Sequence, residues 1–247
     1  MYRFFVDPDN ICGNDIYIEG ADVNHIKNVL RMRIGEEISV VTGDGSSEYR
    51  CEISGYEADR VRLKLRFVKE EDVELSNRIY LFQGLPKSDK MELIIQKAVE
   101  LGVYEIIPVQ MKRSVVKYDN KKEASKIARY NTIAEAAAKQ SKRGVIPQVK
   151  PVMKFGEAVS YCRDMDVKLL PYELADMDAM DTTRDILSGI KKGQSIAVFI
   201  GPEGGFNESE YEEAVAEGFT AITLGHRILR TETAGLTLLA WLVFLLE

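Results

Sequence analysis

The sequence predicts two architectures in series: a small barrel or curled sheet, then an α/β domain on a mostly parallel sheet. Three observations carry this. Up to about residue 70, short runs alternate apolar and polar side chains; an acidic stretch, KEEDVELSN (69–77), then interrupts as a linker. From residue 78 onward, apolar strand-like runs alternate with helical patterns to the end of the chain. With 247 residues, there is room for one large domain or two small ones.

A short helix, DVNHIKNVLRM (22–32), comes first, with Asp22 placed as its N-cap. Three strands follow: EEISVVTG (36–43), SEYRCEIS (47–54) and RVRLKLRF (60–67), with turn signals at Gly43-Asp44-Gly45 and Gly55. Alternation in the third puts Val61, Leu63, Leu65 and Phe67 on one face and Arg60, Arg62, Lys64 and Arg66 on the other. That basic stripe is either a solvated outer face or a surface for RNA.

In the second region RIYLFQGL (78–85) is a strand. SDKMELIIQKAVELGV (88–103) is a helix with Ser88 near its N-cap and Gly102 past its end. EIIPVQ (105–110) is a strand and EASKIARYNTIAEAAAKQS (123–141) an Ala-rich helix. KLLPYE (168–173), SIAVFI (195–200) and TAITLG (220–225) are further strands.

Net charge is −6, which by itself argues against a nucleic-acid partner. The distribution argues for one: residues 111–150 hold eleven Lys or Arg against three acids, whereas residues 164–217 hold thirteen acids against four bases. Cys12, Cys51 and Cys162 are scattered and form neither a disulfide framework nor a zinc pattern. The N-terminus lacks the apolar run of a signal peptide. The most apolar stretch, AGLTLLAWLVFLL (234–246), is too short for a membrane span and reads as a buried helix or a subunit interface. A soluble cytoplasmic protein with no membrane partner is expected.

The most informative segment is IGPEGGFNESEYEE (200–213). A glycine loop after a buried strand and before a helix usually cradles phosphate. Here Pro202 removes a backbone donor and Glu203 adds repulsion, so neither a Walker loop nor a dinucleotide turn fits. A carboxylate among glycines suits a ligand that is cationic or rich in donors, such as S-adenosylmethionine (SAM). Asn207 with Glu210 makes a capping box for the next helix. The unit then repeats as TAITLG, HRILRTE and an apolar helix, so two strands end in loops on one sheet edge, where open α/β sheets bind ligands.

IGPEGGF (200–206) and LGHRILRTETA (224–234) resemble the signature motifs of the RsmE family. The resemblance extends to RFF (3–5), HIKNVLRMRIGEEISVVTGDG (25–45), GLPKSDKMELIIQKAVELGV (84–103), RYNTIAEAAAKQSKR (129–143) and LLPYE (169–173). It implies SPOUT-class methyltransferases that form N3-methyluridine in 16S ribosomal RNA, with a PUA-like β-barrel over residues 1–72 and a SPOUT α/β domain over 73–247 ending in a trefoil knot. It also implies a homodimer, 16S rRNA or the small ribosomal subunit as partner, SAM as cofactor and no metal.

Carried over by motif, the cofactor pocket comprises Leu170, Glu173, Gly201, Pro202, Glu203, Gly204, Gly205, Leu224, Gly225, Ile228 and Leu229, with Ile228 and Leu229 against the adenine. Arg230 is the candidate for stabilising a uracil anion; Glu232 is either a base or a support for Arg230. Arg3, His25, Arg31, Lys87, Lys90, Arg113 and Arg129 are the expected RNA contacts. Two other functions fit the same chain: a ribose 2′-O methyltransferase of the SPOUT class, and a non-catalytic RNA-binding assembly factor.

Overall fold

The computed structural model describes residues 1–70, 73–118, 120–172 and 180–247. The chain forms two compact units: Met1–Glu74 with Ala138–Ile146, and Leu75–Ala137 with Pro147–Glu247.

In the first unit, β1 (Arg3–Phe5), β2 (Ile11–Cys12), β3 (Asp15–Glu19), β4 (Glu37–Val41), β5 (Ser47–Tyr56) and β6 (Arg60–Glu70) form one sheet in the order β1-β4-β5-β6-β3-β2. Only the β1–β4 pairing is parallel. Ile16, Ile18, Ile38, Val40, Ile53, Val61 and Leu63 bury one face around Ile26. The long β5–β6 hairpin breaks register between Arg50 and Cys51, where Cys51 faces Leu65 but Arg50 faces Phe67. The extra residue reverses the side-chain phase, so the predicted apolar face holds at Val61 and Leu63 and fails at Phe67, which is exposed.

Between β3 and β4, helix α1 (Ala21–Asn24) passes into a π-helical turn, His25–Val29. Asp22 is not its cap. Gly20, at φ +70°, turns the chain out of β3 and occupies the N-cap position. Asp22 therefore sits in the first turn and pairs with Lys139 at 2.9 Å. The expected linker is anchored on both sides of the boundary. Glu74 binds Arg143 and accepts the Gly144 N–H, while buried Asn77 donates to the Lys191 carbonyl in the second unit.

The second unit contains β7 (Arg78–Gly84), α2 (Lys90–Glu100), β8 (Glu105–Gln110), α3 (Asn120–Ser141), β9 (Gln148–Val149), β10 (Met153–Lys154) and α4 (Phe155–Tyr161). The last turn of α3 belongs with the first unit. Then come β11 (Val167–Pro171), α5 (Met180–Ser188), β12 (Ser195–Ile200), α6 (Glu208–Ala216), β13 (Thr220–Ile222) and α7 (Thr231–Leu246). The sheet runs β10-β8-β7-β12-β11-β13 with β9 on β8, and every pairing is parallel. Phe82 and Phe199 stack at 4.3 Å in its core.

In this unit the helix ends that the sequence signals lie where expected, with one exception. Gly102, at φ +80°, closes α2, and Asn207 caps α6 with Glu210 returning its bond. Ser88 does not cap α2: it sits at φ +56° in the preceding turn, and Asp89 holds the N-cap position without a side-chain bond. Leu238, Leu239, Leu242 and Leu246 of α7 are buried, while Phe244 is 85% exposed. No helix among the described residues is long and apolar enough to cross a membrane.

Candidate active site

The carboxyl ends of β11, β12 and β13 and the first turn of α7 enclose a cavity of about 450 Å³. Parallel pairing directs all three strand ends to one edge, as the repeated strand–loop–helix pattern requires. The loop after β12 is closed by the Gly205 N–H donating to the Pro202 carbonyl at 2.9 Å, with Gly205 at φ +65°. Gly84, at the end of β7, has no room for a side chain: a Cβ there would lie 2.6 Å from the Pro202 nitrogen. Fully buried Gln83 ties these parts together. Its Nε2 donates to Thr231 Oγ1 at 2.8 Å, and that hydroxyl donates to the Gly201 carbonyl at 2.6 Å.

Lys90 and Glu203 line one side of the cavity, and Glu232 pairs with the same lysine outside the lining. Lys90 Nζ, at the start of α2, lies 3.1 Å from Glu203 Oε1 and 3.1 Å from Glu232 Oε2. Glu203 also accepts the backbone N–H of Lys87 at 3.1 Å. Burial pushes both carboxyls up; their own backbone N–H groups and Lys90 outweigh it and hold both below the ordinary glutamate range. Glu232 and then Glu203 raise the Lys90 ammonium in return. Arg230, the N-cap residue of α7, is exposed, and its guanidinium has no hydrogen-bond or ion-pair partner among the described residues. The carboxylate of Glu232 is thus bridged to Lys90 and does not hold Arg230 in a salt bridge.

Most of the expected pocket residues meet here. Gly201, Pro202, Glu203, Gly205, Leu224, Gly225, Ile228 and Leu229 all line the cavity. Two do not. Leu170 is buried in the hydrophobic core behind it, because alternation along β11 turns that side chain inward. Gly204 faces Arg113 instead, whose guanidinium donates to its carbonyl at 2.9 Å; an added Cβ would meet Arg113 Cβ at 3.1 Å. Glu173 lies outside the described residues. Lys90, Pro171, Tyr172, Arg227 and Thr231 also line the cavity. Among the described residues no group of three or more His, Cys, Asp or Glu is placed to hold a metal ion.

Residues 73–243 match the RNA methyltransferase domain family, and residues 18–66 match the RNA methyltransferase PUA domain family. The ribosomal RNA small subunit methyltransferase E of Bacillus subtilis is 40% identical over 220 residues, 89% of this chain and 86% of that protein. The chain belongs to the ribosomal RNA small subunit methyltransferase E family. A crystal structure of the Neisseria gonorrhoeae member of this family, bound to SAM, is 31% identical with a TM-score of 0.82, covering 97% of this chain and 95% of that one. A Legionella pneumophila methyltransferase with bound SAM is 30% identical with a TM-score of 0.84, covering 98% and 96%. The family's two-part organisation, PUA domain then methyltransferase domain, agrees with the curled sheet and the α/β unit seen here.

The expected RNA contacts divide by exposure. His25, Arg31, Lys87, Arg113 and Arg129 are exposed, although Arg129 pairs with Glu92 at 2.7 Å. Arg3 is only 8% exposed; it pairs with buried Glu48 at 3.3 Å and donates to the Lys142 carbonyl, so it is part of the unit's interior. Lys90 is committed to Glu203 and Glu232. The β6 stripe is paired throughout: Arg60 with Glu57, Arg62 and Lys64 with Asp15, and Arg66 with Glu52.

Proposed function

We propose that this protein is a SAM-dependent methyltransferase that methylates N3 of a uridine in 16S ribosomal RNA of the small ribosomal subunit. The carrying observation is a cavity that joins bare glycine backbone, exposed apolar side chains and one carboxylate, Glu203, bridged to Lys90, at the carboxyl ends of three parallel strands. These residues fit the cofactor. Ile228, 85% exposed, and Leu229 offer apolar surface to a purine. Gly225, at φ +100°, presents backbone with open space where a Cβ would be. Glu203 supplies negative charge for a cation. When bound, SAM supplies a methyl group activated by its positively charged sulfur.

The residues of the chain supply orientation and charge. Uracil N3 carries a proton at neutral pH and becomes a good nucleophile only as the anion. Arg230, unpaired and next to the cavity, favours that anion through a charge-assisted bond to a base oxygen. Glu232, held ionised by its own backbone and Lys90, is a weak proton acceptor, and we assign it to fixing Lys90; the N3 proton passes to water, and transfer of the methyl group leaves the sulfonium as a neutral thioether. The target uracil must be unstacked to enter.

Residues 1–72 serve as the RNA-binding barrel and 73–247 as the methyltransferase domain, a division supported by the two family matches. The strand order β12-β11-β13 is compatible with a knotted C-terminal segment. Exposed Phe244 and Leu245 on α7 support a homodimer. His25, Arg31, Lys87, Arg113 and Arg129, all exposed, contact RNA phosphates, and action on ribosomal RNA supports a cytoplasmic location. Titration calorimetry with SAM and transfer of a labelled methyl group to small ribosomal subunits test this reading. Binding with transfer is expected; binding without transfer would leave an assembly factor.

A further inference from the structure

We infer that Arg227 holds the backbone phosphate of the target nucleotide, so that two arginines of the cavity divide one nucleotide between them: Arg227 takes the phosphate and Arg230 the base. The inference rests on the methyltransferase reading and adds a substrate-positioning role for a residue of that site. Four charged side chains line the cavity, and three of them, Lys90, Arg227 and Arg230, are cationic against the single carboxylate of Glu203. Lys90 is engaged by Glu203 and, outside the lining, by Glu232. Arg227, like Arg230, is exposed and has no hydrogen-bond or ion-pair partner among the described residues. Two guanidinium groups are therefore left for a ligand.

The cofactor does not call for that charge. SAM carries a sulfonium, an ammonium and a carboxylate, so it is itself a net cation and is repelled by free guanidinium groups. The other substrate is anionic in two places: uracil N3 as it loses its proton, and the phosphodiester. A guanidinium fork matches phosphate oxygens in bidentate fashion. Extruding a base swings it about its backbone, so the phosphate stays at the mouth while the base goes in. The local chain suits this division. Gly225, at φ +100°, turns the chain after β13, and Arg227 and Arg230 then flank Ile228 and Leu229. Three peptide units separate their Cα atoms by at most about 10 Å, so one extruded nucleotide can meet both.

The test is single-turnover methylation of small ribosomal subunits by the full-length protein, with SAM affinity measured by titration calorimetry. Arg227→Ala should raise the subunit concentration that gives half the maximal rate about tenfold and keep the saturating rate within about threefold. Its SAM affinity should stay within about twofold of wild type, and its slope of log RNA affinity against log salt should flatten by about one. Arg227→Lys keeps the point charge and should recover most of the RNA affinity. Arg230→Ala should show the opposite split, a lower saturating rate at an unchanged half-saturating concentration. Loss of SAM affinity in Arg227→Ala would put the guanidinium on the cofactor's carboxylate and overturn the assignment. So would unchanged half-saturation and salt slope in a variant that circular dichroism shows to be folded. A wild-type protein that binds SAM but transfers no methyl group to subunits would instead overturn the reading beneath the inference.

Discussion

The β6 stripe and the cavity are both rich in Lys and Arg, yet they treat charge in opposite ways. On β6 Arg60, Arg62, Lys64 and Arg66 each pair with an acid on their own hairpin or a neighbouring strand, and all four lie at the surface. At the cavity one lysine is shared by two carboxylates, while Arg230 has no hydrogen-bond or ion-pair partner among the described residues. Exposed pairs of the first kind are screened and contribute little, and a paired guanidinium must leave its acid before it can bind phosphate. An unpaired arginine beside a cavity is available to a ligand. A basic stripe in sequence is therefore a weaker sign of function than one arginine whose neighbours are already engaged elsewhere.

The largest expected effect is steric. Gly84→Val would place branched carbon against the Pro202 backbone, so destabilisation of about 3 kcal/mol and loss of SAM binding are expected. Urea denaturation and calorimetry measure both. A folded variant with unchanged affinity would show that the closeness of β7 to the loop does not shape the cavity.

Next is Arg230→Ala, which should lower the single-turnover methylation rate about 100-fold while sparing SAM affinity. Arg230→Lys keeps charge but not the planar fork, and should fall in between. An unaltered rate would remove the contrast between the unpaired arginine and the paired stripe.

Thr231→Val breaks the bond to Gly201 and removes a partner of buried Gln83, for an expected loss of about 1–3 kcal/mol. Denaturant midpoints of Thr231→Val and Thr231→Ser separate the hydroxyl from the shape.

The Lys90 bridge should leave a mark on stability against pH. Glu203 and Glu232 are held below their ordinary 4.5, so their contribution is full above that value and is lost as pH falls beneath it. Lys90 is raised above its ordinary 10.5, so its contribution is full below that value and is lost as pH climbs past the folded value. The stability difference between wild type and Lys90→Met should be flat in the neutral range and shrink in acid. A difference independent of pH would point to packing.

The smallest effect belongs to β6. Arg62→Ala should leave the salt dependence of RNA binding unchanged, whereas Lys87→Ala with Arg113→Ala should flatten the slope of log affinity against log salt by about two. Equal slopes in all variants would erase the distinction between the two regions.

Strands and the loop were legible in the sequence where local chemistry decides them. SIAVFI and EIIPVQ are strands over the residues expected, and Asn207 with Glu210 forms the expected cap. What escaped depends on partners distant in sequence. Arg3 is an ordinary surface residue until Glu48 is placed beside it. Gly204 is a pocket glycine until Arg113 packs on it. The bulge at Leu65–Phe67 breaks an alternation that is regular in the letters. Gln83 did leave a signal, a lone amide in the apolar run RIYLFQG, but its partner Thr231 is at the far end of the chain. Lys90 sits among helix-forming residues, and only the fold brings it between two glutamates.

The central claim is that this cavity serves methylation of uridine N3. Small ribosomal subunits lacking the modification should be incubated with the protein and SAM, and their 16S rRNA digested to nucleosides for mass spectrometry. The account predicts 3-methyluridine, dependent on SAM and strongly reduced with Arg230→Ala. A ribose-methylated nucleoside in its place, or no new modification from protein that binds SAM, would contradict it.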